Sequence, residues 1–127
     1  MGELESVPRI LLVDDDVSIR LLLEKALSMD GFGVDPAPDT NAALKLLDLK
    51  RHVLVISDLS MPGRSGMELI KDVRARSSRL PILVVSSDLD LDTRGELQAI
   101  GRLEYLAKPF TLTAVRATVE RLTAKLD

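Results

Sequence analysis

Short apolar runs recur along the chain and are separated by longer mixed segments. Four of these runs are almost continuously apolar and rich in β-branched or leucine side chains, at residues 10–13, 53–56, 81–85 and 103–107. Such runs are typical of strands that are buried on both faces of a parallel sheet. A fifth run at 34–37 contains Asp35 and Pro36, and because proline cannot donate to a sheet ladder, we predict that this strand lies at a sheet edge.

The segments between the runs have the spacing of amphipathic helices. Apolar residues at positions 19, 22, 23, 26 and 27 would share one helical face. Asp39 and Thr111 are typical N-caps of a second and a last helix, and residues 65–68 match a capping box before a third. The segment 89–100 predicts a weaker fourth helix, because Gly95 lies in its interior. Strands that alternate with helices predict an α/β fold with a parallel sheet and right-handed crossovers.

Composition limits the function classes that remain open. The 127 residues suffice for one domain, for which we expect a tail at 1–7 and a single folded unit at 8–127. The chain has no cysteine, which excludes thiolate metal sites and cysteine nucleophiles, and its net charge of −3 argues against direct nucleic-acid binding. No apolar run is long enough to span a membrane, and the acidic N-terminus is unlike a signal peptide, so we expect a cytoplasmic protein.

Chemically active side chains come directly after four of the predicted strands. Asp14 and Asp15 follow the first strand, Asp58 the third, Ser86 the fourth and Lys108 the fifth. Parallel strands end at one edge of the sheet, so these residues should converge there. Several carboxylates at close range call for a cation, and hard oxygen ligands without thiolate or imidazole favour Mg²⁺. This set predicts Asp58 as a nucleophile that accepts a phosphoryl group.

Other readings of single residues are more ordinary. Asp58 alone could equally be a turn residue before Pro62 and Gly63. We expect Asp16 to cap the first helix rather than to bind metal. His52, the only histidine, lies beside a charged segment, and we expect a solvated loop residue rather than a catalyst or a ligand.

Taken together, these motifs resemble the receiver domain of two-component response regulators, including its chemotaxis members. The resemblance extends over about residues 8–125. It is carried by the acidic pair Asp14-Asp15, the segment from Asp58 to Gly66, Ser86, and the segment 105–110 with sequence YLAKPF. It implies a doubly wound, flavodoxin-like fold with a five-stranded parallel sheet in the order 2-1-3-4-5 and helices on both faces.

The resemblance also implies a role for each matching residue. Asp58 would be the phosphoacceptor, and Mg²⁺ would be bound by Asp15, by Asp58 and by the main-chain carbonyl of Ser60, with Asp14 acting through water. Lys108 would pair with the phosphoryl group.

A conformational switch is implied as well. Ser86 would grip the phosphoryl group, and Tyr105 would turn inward in response, although Tyr105 could also be an ordinary half-buried aromatic residue. Pro109 would follow Lys108 through a cis bond. Two departures from the family pattern stand out: Arg102 replaces a small residue after Gly101, and an acidic Asp88 is expected to affect the lifetime of the phosphorylated state.

The implied partners are a histidine kinase or a histidine phosphotransfer protein, with an output partner at the fourth helix, fifth strand and fifth helix, and with a phosphorylation-dependent dimer as a further expectation. The implied function is a switch rather than an enzyme that acts on other substrates. One alternative is a docking or dimerisation module that does not depend on phosphorylation. Another is an aspartate-based phosphatase, which would require an acidic residue at position 60, where this chain has serine. The sequence does not distinguish a stand-alone regulator from part of a longer one.

Overall fold

A computed structural model describes residues 7–60, 66–87 and 89–124 of the chain. Strands and helices alternate throughout, as the apolar pattern predicts. The elements are β1 (Arg9–Val13), α1 (Val17–Met29), β2 (Gly33–Ala37), α2 (Thr40–Leu46), β3 (His52–Ser57), α3 (Gly66–Arg76), β4 (Ile82–Ser86), α4 (Leu91–Ile100), β5 (Leu103–Ala107) and α5 (Leu112–Thr123).

The five strands form one parallel sheet in the order β2-β1-β3-β4-β5. This confirms the doubly wound, flavodoxin-like topology. Strand β2, with Asp35 and Pro36, lies at one edge, as its polar residues and its proline predict. The central strands β1, β3 and β4 are almost entirely buried. All five strands end at the same edge, which gathers the residues that follow them.

The core has two layers, one on each face of the sheet. Helices α1 and α5 cover one face, where Leu23 and Leu27 pack with Val115 and Val119. Helices α2, α3 and α4 cover the other face. Most of the buried helical side chains in this layer belong to α3, namely Leu69, Ile70 and Val73. Two covered faces explain why the strands are continuously apolar rather than alternating.

Two apolar residues of the helical stripes are more exposed than their spacing predicts. Leu22 of α1 is 47% exposed and Leu46 of α2 is 44% exposed. In α1 the buried positions are only Leu23 and Leu27, so the face that meets the sheet is narrower than the apolar stripe. Helix α2 ends at Leu46 after seven residues, and the chain becomes extended at Leu47.

The predicted N-caps agree with the structure where it describes them. The carboxylate of Asp16 accepts hydrogen bonds from the N–H groups of Ser18 and Ile19, and Asp39 caps α2 in the same way. Thr111 caps α5. The predictions for Pro62, Gly63, Ser65 and Asp88 lie outside the described residues.

His52 corrects a prediction. It is not a solvated loop residue: it begins β3, and its side chain is only 1% exposed. Its Nε2 lies 2.8 Å from a carboxylate oxygen of Asp35, and its Nδ1 accepts a hydrogen bond from the N–H of Asp48 (2.9 Å). The guanidinium of Arg9 donates to the same carboxylate at 2.7 and 2.9 Å. We call Arg9, Asp35 and His52 the Arg9 cluster. Its members come from the neighbouring strands β1, β2 and β3, and His52 is buried because these strands supply its partners.

Among the described residues, no helix combines the length and the apolar character that crossing a bilayer requires.

Candidate functional site

The residues that follow β1, β3, β4 and β5 come together at the carboxyl edge of the sheet. We call this group the Asp58 cluster, and its members are Asp14, Asp15, Asp58, Ser86 and Lys108. Asp14, Asp58 and Ser86 are buried, Lys108 is partly buried and Asp15 is exposed. The structure therefore brings together all five side chains that the sequence places at strand ends.

The backbone fixes the position of Asp58. Its N–H donates to the carbonyl of Val13 (3.0 Å), and its carbonyl accepts from the hydroxyl of Ser57 (2.9 Å). A Cβ atom added at Gly66, the first residue of α3, would lie 2.2 Å from the carbonyl oxygen of Asp58 and 2.6 Å from the Cα of Leu59. Glycine at position 66 thus allows α3 to start directly against the residue that carries the central carboxylate.

Three donors surround the carboxylate of Asp58. One oxygen accepts from the N–H of Ser60 (2.9 Å) and from the hydroxyl of Ser86 (3.0 Å), and the other contacts the ammonium of Lys108 (2.8 Å). Asp58 is 5% exposed as a residue. Such charge-assisted contacts hold the carboxylate in one orientation.

Lys108 also contacts Asp14 at 2.9 Å, so one ammonium bridges two buried carboxylates. Burial raises the pKa of Asp14, and this effect outweighs the opposing hydrogen bonds from the N–H of Asp16 and from Lys108. Burial alone would lower the pKa of Lys108, but its bonds to Asp58 and Asp14 outweigh burial and raise it. Lys108 is therefore held as a cation between two acids.

Hydrogen bonds to main-chain carbonyls hold the segments that carry Lys108 and Asp14. The N–H of Lys108 donates to the carbonyl of Ser86 (2.8 Å), and the Lys108–Pro109 bond is cis, as the resemblance implies. Arg20 on α1 donates to the carbonyl of Asp14 (2.6 Å). The sequence did not single out Arg20, since an arginine in an amphipathic helix is ordinary and only the fold shows its contact.

The acidic members of the cluster suit a hard divalent cation. Oxygen atoms of Asp14, Asp15 and Asp58 lie within 4.8 Å of one another. Three carboxylates against a single nearby ammonium leave net negative charge, and oxygen donors of this kind are the ligands that Mg²⁺ prefers. The donor set therefore fits the predicted metal. The ligand role of the Ser60 carbonyl stays a prediction.

Tyr105 lies beside the cluster on β5 and is partly buried. Its hydroxyl donates toward the carbonyls of Ser87 (3.1 Å) and Ser86 (3.3 Å). The guanidinium carbon of Arg94, on α4, lies 5.7 Å from the centre of the ring. No pattern in the sequence singles out Arg94, because its contact joins a helix to a strand residue eleven positions further along the chain.

Arg74 of α3 holds the turn before β5, although no pattern in the sequence singles it out. Arg102 has a φ of 51°, an uncommon backbone conformation for a side chain of this size. The guanidinium of Arg74 donates to the carbonyls of Gly101 and Arg102 (3.1 Å each) and also to that of Leu80 (2.8 Å). Arg74 of α3 thus stabilises the turn in which Arg102 replaces the small residue expected at this position.

Comparisons with known proteins agree with this geometry. The family model described as the response regulator receiver domain matches residues 10–120. The DNA-binding transcriptional regulator NtrC of Klebsiella pneumoniae is 36% identical over 110 residues, which make up 87% of this chain and 24% of that protein. The transcriptional regulatory protein TctD of Salmonella typhimurium is 35% identical over 114 residues, 90% of this chain and 51% of the relative.

A solved structure supports the same likeness. The chemotaxis protein CheY4 of Vibrio cholerae superimposes with a TM-score of 0.83 at 32% identity, covering 91% of this chain and 98% of that one. The chain therefore spans nearly all of a chemotaxis regulator, but only about a quarter to a half of the two transcriptional regulators.

Proposed function

Because the chain belongs to the family of response regulator receiver domains, we propose that it is a Mg²⁺-dependent phosphoryl acceptor in two-component signalling, with Asp58 as the acceptor. Receiver domains work with histidine kinases and output domains. The donor that we propose is a phosphohistidine of a histidine kinase or of a histidine phosphotransfer protein. The acyl phosphate formed on Asp58 then acts as a switch.

The observation that carries this proposal is the set of donors around one buried carboxylate. The contacts of Ser86, Lys108 and the Ser60 N–H with Asp58 supply hydrogen bonds and positive charge where a transferred phosphoryl group would add negative charge. A carboxylate oxygen of Asp58 forms the new P–O bond while the P–N bond of the donor breaks, and the released imidazole takes up a proton.

Mg²⁺ would be held by Asp15 and Asp58, by the Ser60 carbonyl, and by Asp14 through water. Bound there, it would offset the charge of the phosphoryl oxygens and of the clustered carboxylates. Lys108 already bridges Asp14 and Asp58 at 2.9 and 2.8 Å and can pair with the phosphoryl group from the same position.

The chemistry of the chain itself is confined to gaining and losing this acyl phosphate, so we propose a switch rather than an enzyme with external substrates. The phosphatase alternative is not favoured, because Ser60 offers no acid two residues past Asp58. Added charge at Asp58 would shift Ser86 toward the phosphoryl oxygens and change the balance between two conformations, in which Tyr105 takes part.

For the output partner, we propose the face formed by α4, β5 and α5. A groove between α4 and β5 is lined by four leucines and Tyr105 together with Arg94 and Gln98, and one of these leucines, Leu91, is 84% exposed. Exposed apolar surface of this kind is typical of interaction sites. A phosphorylation-dependent dimer remains a prediction, as does the absence of direct contacts with nucleic acid.

The decisive experiment is labelling with acetyl phosphate in the presence of Mg²⁺. We expect the wild type to gain one phosphoryl group by intact-protein mass spectrometry, and we expect Asp58→Asn to gain none. Asp48→Asn removes the same charge from an exposed position at the far end of β3 and should label normally. Equal labelling of Asp58→Asn and the wild type would refute the assignment.

A further inference from the structure

The connection after β4 is held from two sides. On one side the hydroxyl of Ser86 donates to the carboxylate of Asp58 at 3.0 Å. On the other side the hydroxyl of Tyr105 donates toward the carbonyls of Ser86 and Ser87. The orientation of the Tyr105 ring is therefore coupled to the segment that carries the Ser86 hydroxyl.

The Tyr105 ring is in turn covered by Arg94. The guanidinium carbon of Arg94 lies 5.7 Å from the ring centre, within the range of a cation–π contact. Arg94 is exposed and is the fourth residue of α4, whereas Tyr105 lies in the middle of β5. The contact thus ties the helix to the strand across the groove between them.

Besides this contact, α4 is held by an exposed ion pair between Glu96 and Lys71 of α3 (3.1 Å) and by the apolar packing of Leu97 and Ile100. Leu97 is the one fully buried residue within α4, and Gly95 contributes no side chain and has open space around its Cα. A helix with so little buried surface is held weakly, so a single side-chain contact has a large share in setting its position.

We infer that Arg94 is a positioning residue: by covering the Tyr105 ring it stabilises the arrangement in which Tyr105 bonds to the Ser86 and Ser87 carbonyls and Ser86 bonds to Asp58. The inference rests on the proposed phosphoryl-acceptor function and adds a regulatory element to it. A residue on α4, outside the Asp58 cluster, then biases the conformation that presents the Ser86 hydroxyl to the acceptor carboxylate.

Thermodynamic linkage gives this inference a direction. A contact that favours the arrangement in which Ser86 faces Asp58 also favours binding of a phosphoryl group there, by at most the factor by which it favours that arrangement. Exposed cation–π contacts correspond to roughly a two- to fivefold change in an equilibrium constant. We therefore expect removal of Arg94 to weaken the binding of a phosphoryl mimic by up to about that factor.

Tyr105 itself can report the effect, because the chain has one tyrosine and no tryptophan. With 3-fluorotyrosine incorporated, a single ¹⁹F resonance follows its environment. We expect Arg94→Gln to move this resonance toward the position found in the unfolded chain and Arg94→Lys to move it less. Arg79→Gln, an exposed charge removal near the start of β4, should leave it unchanged.

The second measurement is a titration with beryllofluoride in the presence of Mg²⁺. We expect a dissociation constant up to roughly two- to fivefold higher for Arg94→Gln than for the wild type and for Arg79→Gln. A resonance and an affinity of Arg94→Gln that both match the wild type would overturn the inference, as would tighter binding by this variant.

The two proposals can fail separately. If the wild type binds no beryllofluoride, the phosphoryl-acceptor function fails, and the ¹⁹F comparison without beryllofluoride still decides whether Arg94 positions Tyr105. If the wild type binds and Asp58→Asn does not, the function stands. The affinity of Arg94→Gln then decides the inference.

Discussion

Two charged clusters lie at different places on the same sheet, and their charge balance differs. In the Arg9 cluster one carboxylate, that of Asp35, receives two bonds from a guanidinium and one contact from His52. In the Asp58 cluster the ammonium of Lys108 contacts two of three clustered carboxylates, those of Asp14 and Asp58, and the third, that of Asp15, lies close to both. The first cluster is compensated within itself, and the second is left with excess negative charge.

The pKa values of Asp35 in the first cluster and of Asp14 in the second shift in opposite directions. The bonds from Arg9, with a smaller contribution from His52, lower the pKa of Asp35 from 3.8 to about 2 despite partial burial. Burial raises the pKa of Asp14, although Lys108 lies 2.9 Å away. A lowered pKa marks a carboxylate whose charged form stabilises the fold, as at Asp35. A raised pKa marks a carboxylate whose charge is disfavoured by its surroundings, as at Asp14, and such carboxylates are typical of functional sites.

The largest expected effect comes from removing the cation of the less compensated cluster. We predict that Lys108→Met lowers the free energy of unfolding by about 3 kcal/mol at pH 7 without divalent cations, because two buried carboxylates lose their partner. Urea titration with a chelator present measures this loss. Lys25→Met, at an exposed helical position, should change stability by no more than about 0.5 kcal/mol. Equal stability of the two variants would contradict the comparison.

The next largest effect is the pH dependence of the stability that the Arg9 cluster contributes. Because the pKa of Asp35 is lowered to about 2 when folded, its contribution is present above the unfolded pKa of 3.8 and is lost as pH falls toward 2. The shift corresponds to about 2 kcal/mol. Asp35→Asn should therefore be less stable than the wild type at pH 7 by about that amount, with the difference shrinking toward pH 2 in urea titrations. A difference that does not vary with pH would show that the ion pair is not its cause.

Metal addition should affect only the cluster with excess negative charge. At a free Mg²⁺ concentration ten times its dissociation constant, we predict a gain of about 1.4 kcal/mol in the free energy of unfolding. Asp15→Asn should abolish the gain. Asp16→Asn is the matched control, because asparagine caps a helix as well as aspartate does and Asp16 serves as the cap of α1. A gain that persists in Asp15→Asn would place the metal elsewhere.

The smallest change in the free energy of unfolding is expected for Asp14→Asn. The attraction of Lys108 offsets much of the free-energy cost of burying the Asp14 charge. Since the folded pKa of Asp14 is raised, its charge lowers stability at neutral pH, and this penalty disappears as pH falls through the folded pKa toward 3.8. We predict that the variant is slightly more stable than the wild type at pH 7 and that the difference narrows in acid. A variant that is less stable at neutral pH would contradict this sign.

Much of the candidate site followed from local patterns in the sequence. The apolar runs predict strands because each run has the length and the residue types of a buried strand, and the edge position of β2 follows from Pro36. Once the sheet is parallel, the residues after each strand must meet at one edge. Asp14, Asp58, Ser86 and Lys108 were therefore predictable as a group without knowledge of their distances.

Contacts that join distant segments were not predictable in this way. His52 was expected in solvent, yet it is buried because Asp35, 17 residues earlier, supplies a partner from the edge strand. Arg94 and Arg20 carry no pattern that sets them apart from other helical arginines. Leu22 fits the helical stripe of α1, but the packing of α1 on the sheet leaves it exposed.

The sequence by itself determined the alternation of strands and helices, the parallel sheet and the types of residue at its carboxyl edge, because these depend on short-range periodicity and on chain direction. Only the tertiary structure decided which charges are compensated. Pairing depends on distances between side chains far apart in the chain, and burial, which shifts the pKa values of Asp14 and Lys108, is a property of the packed molecule.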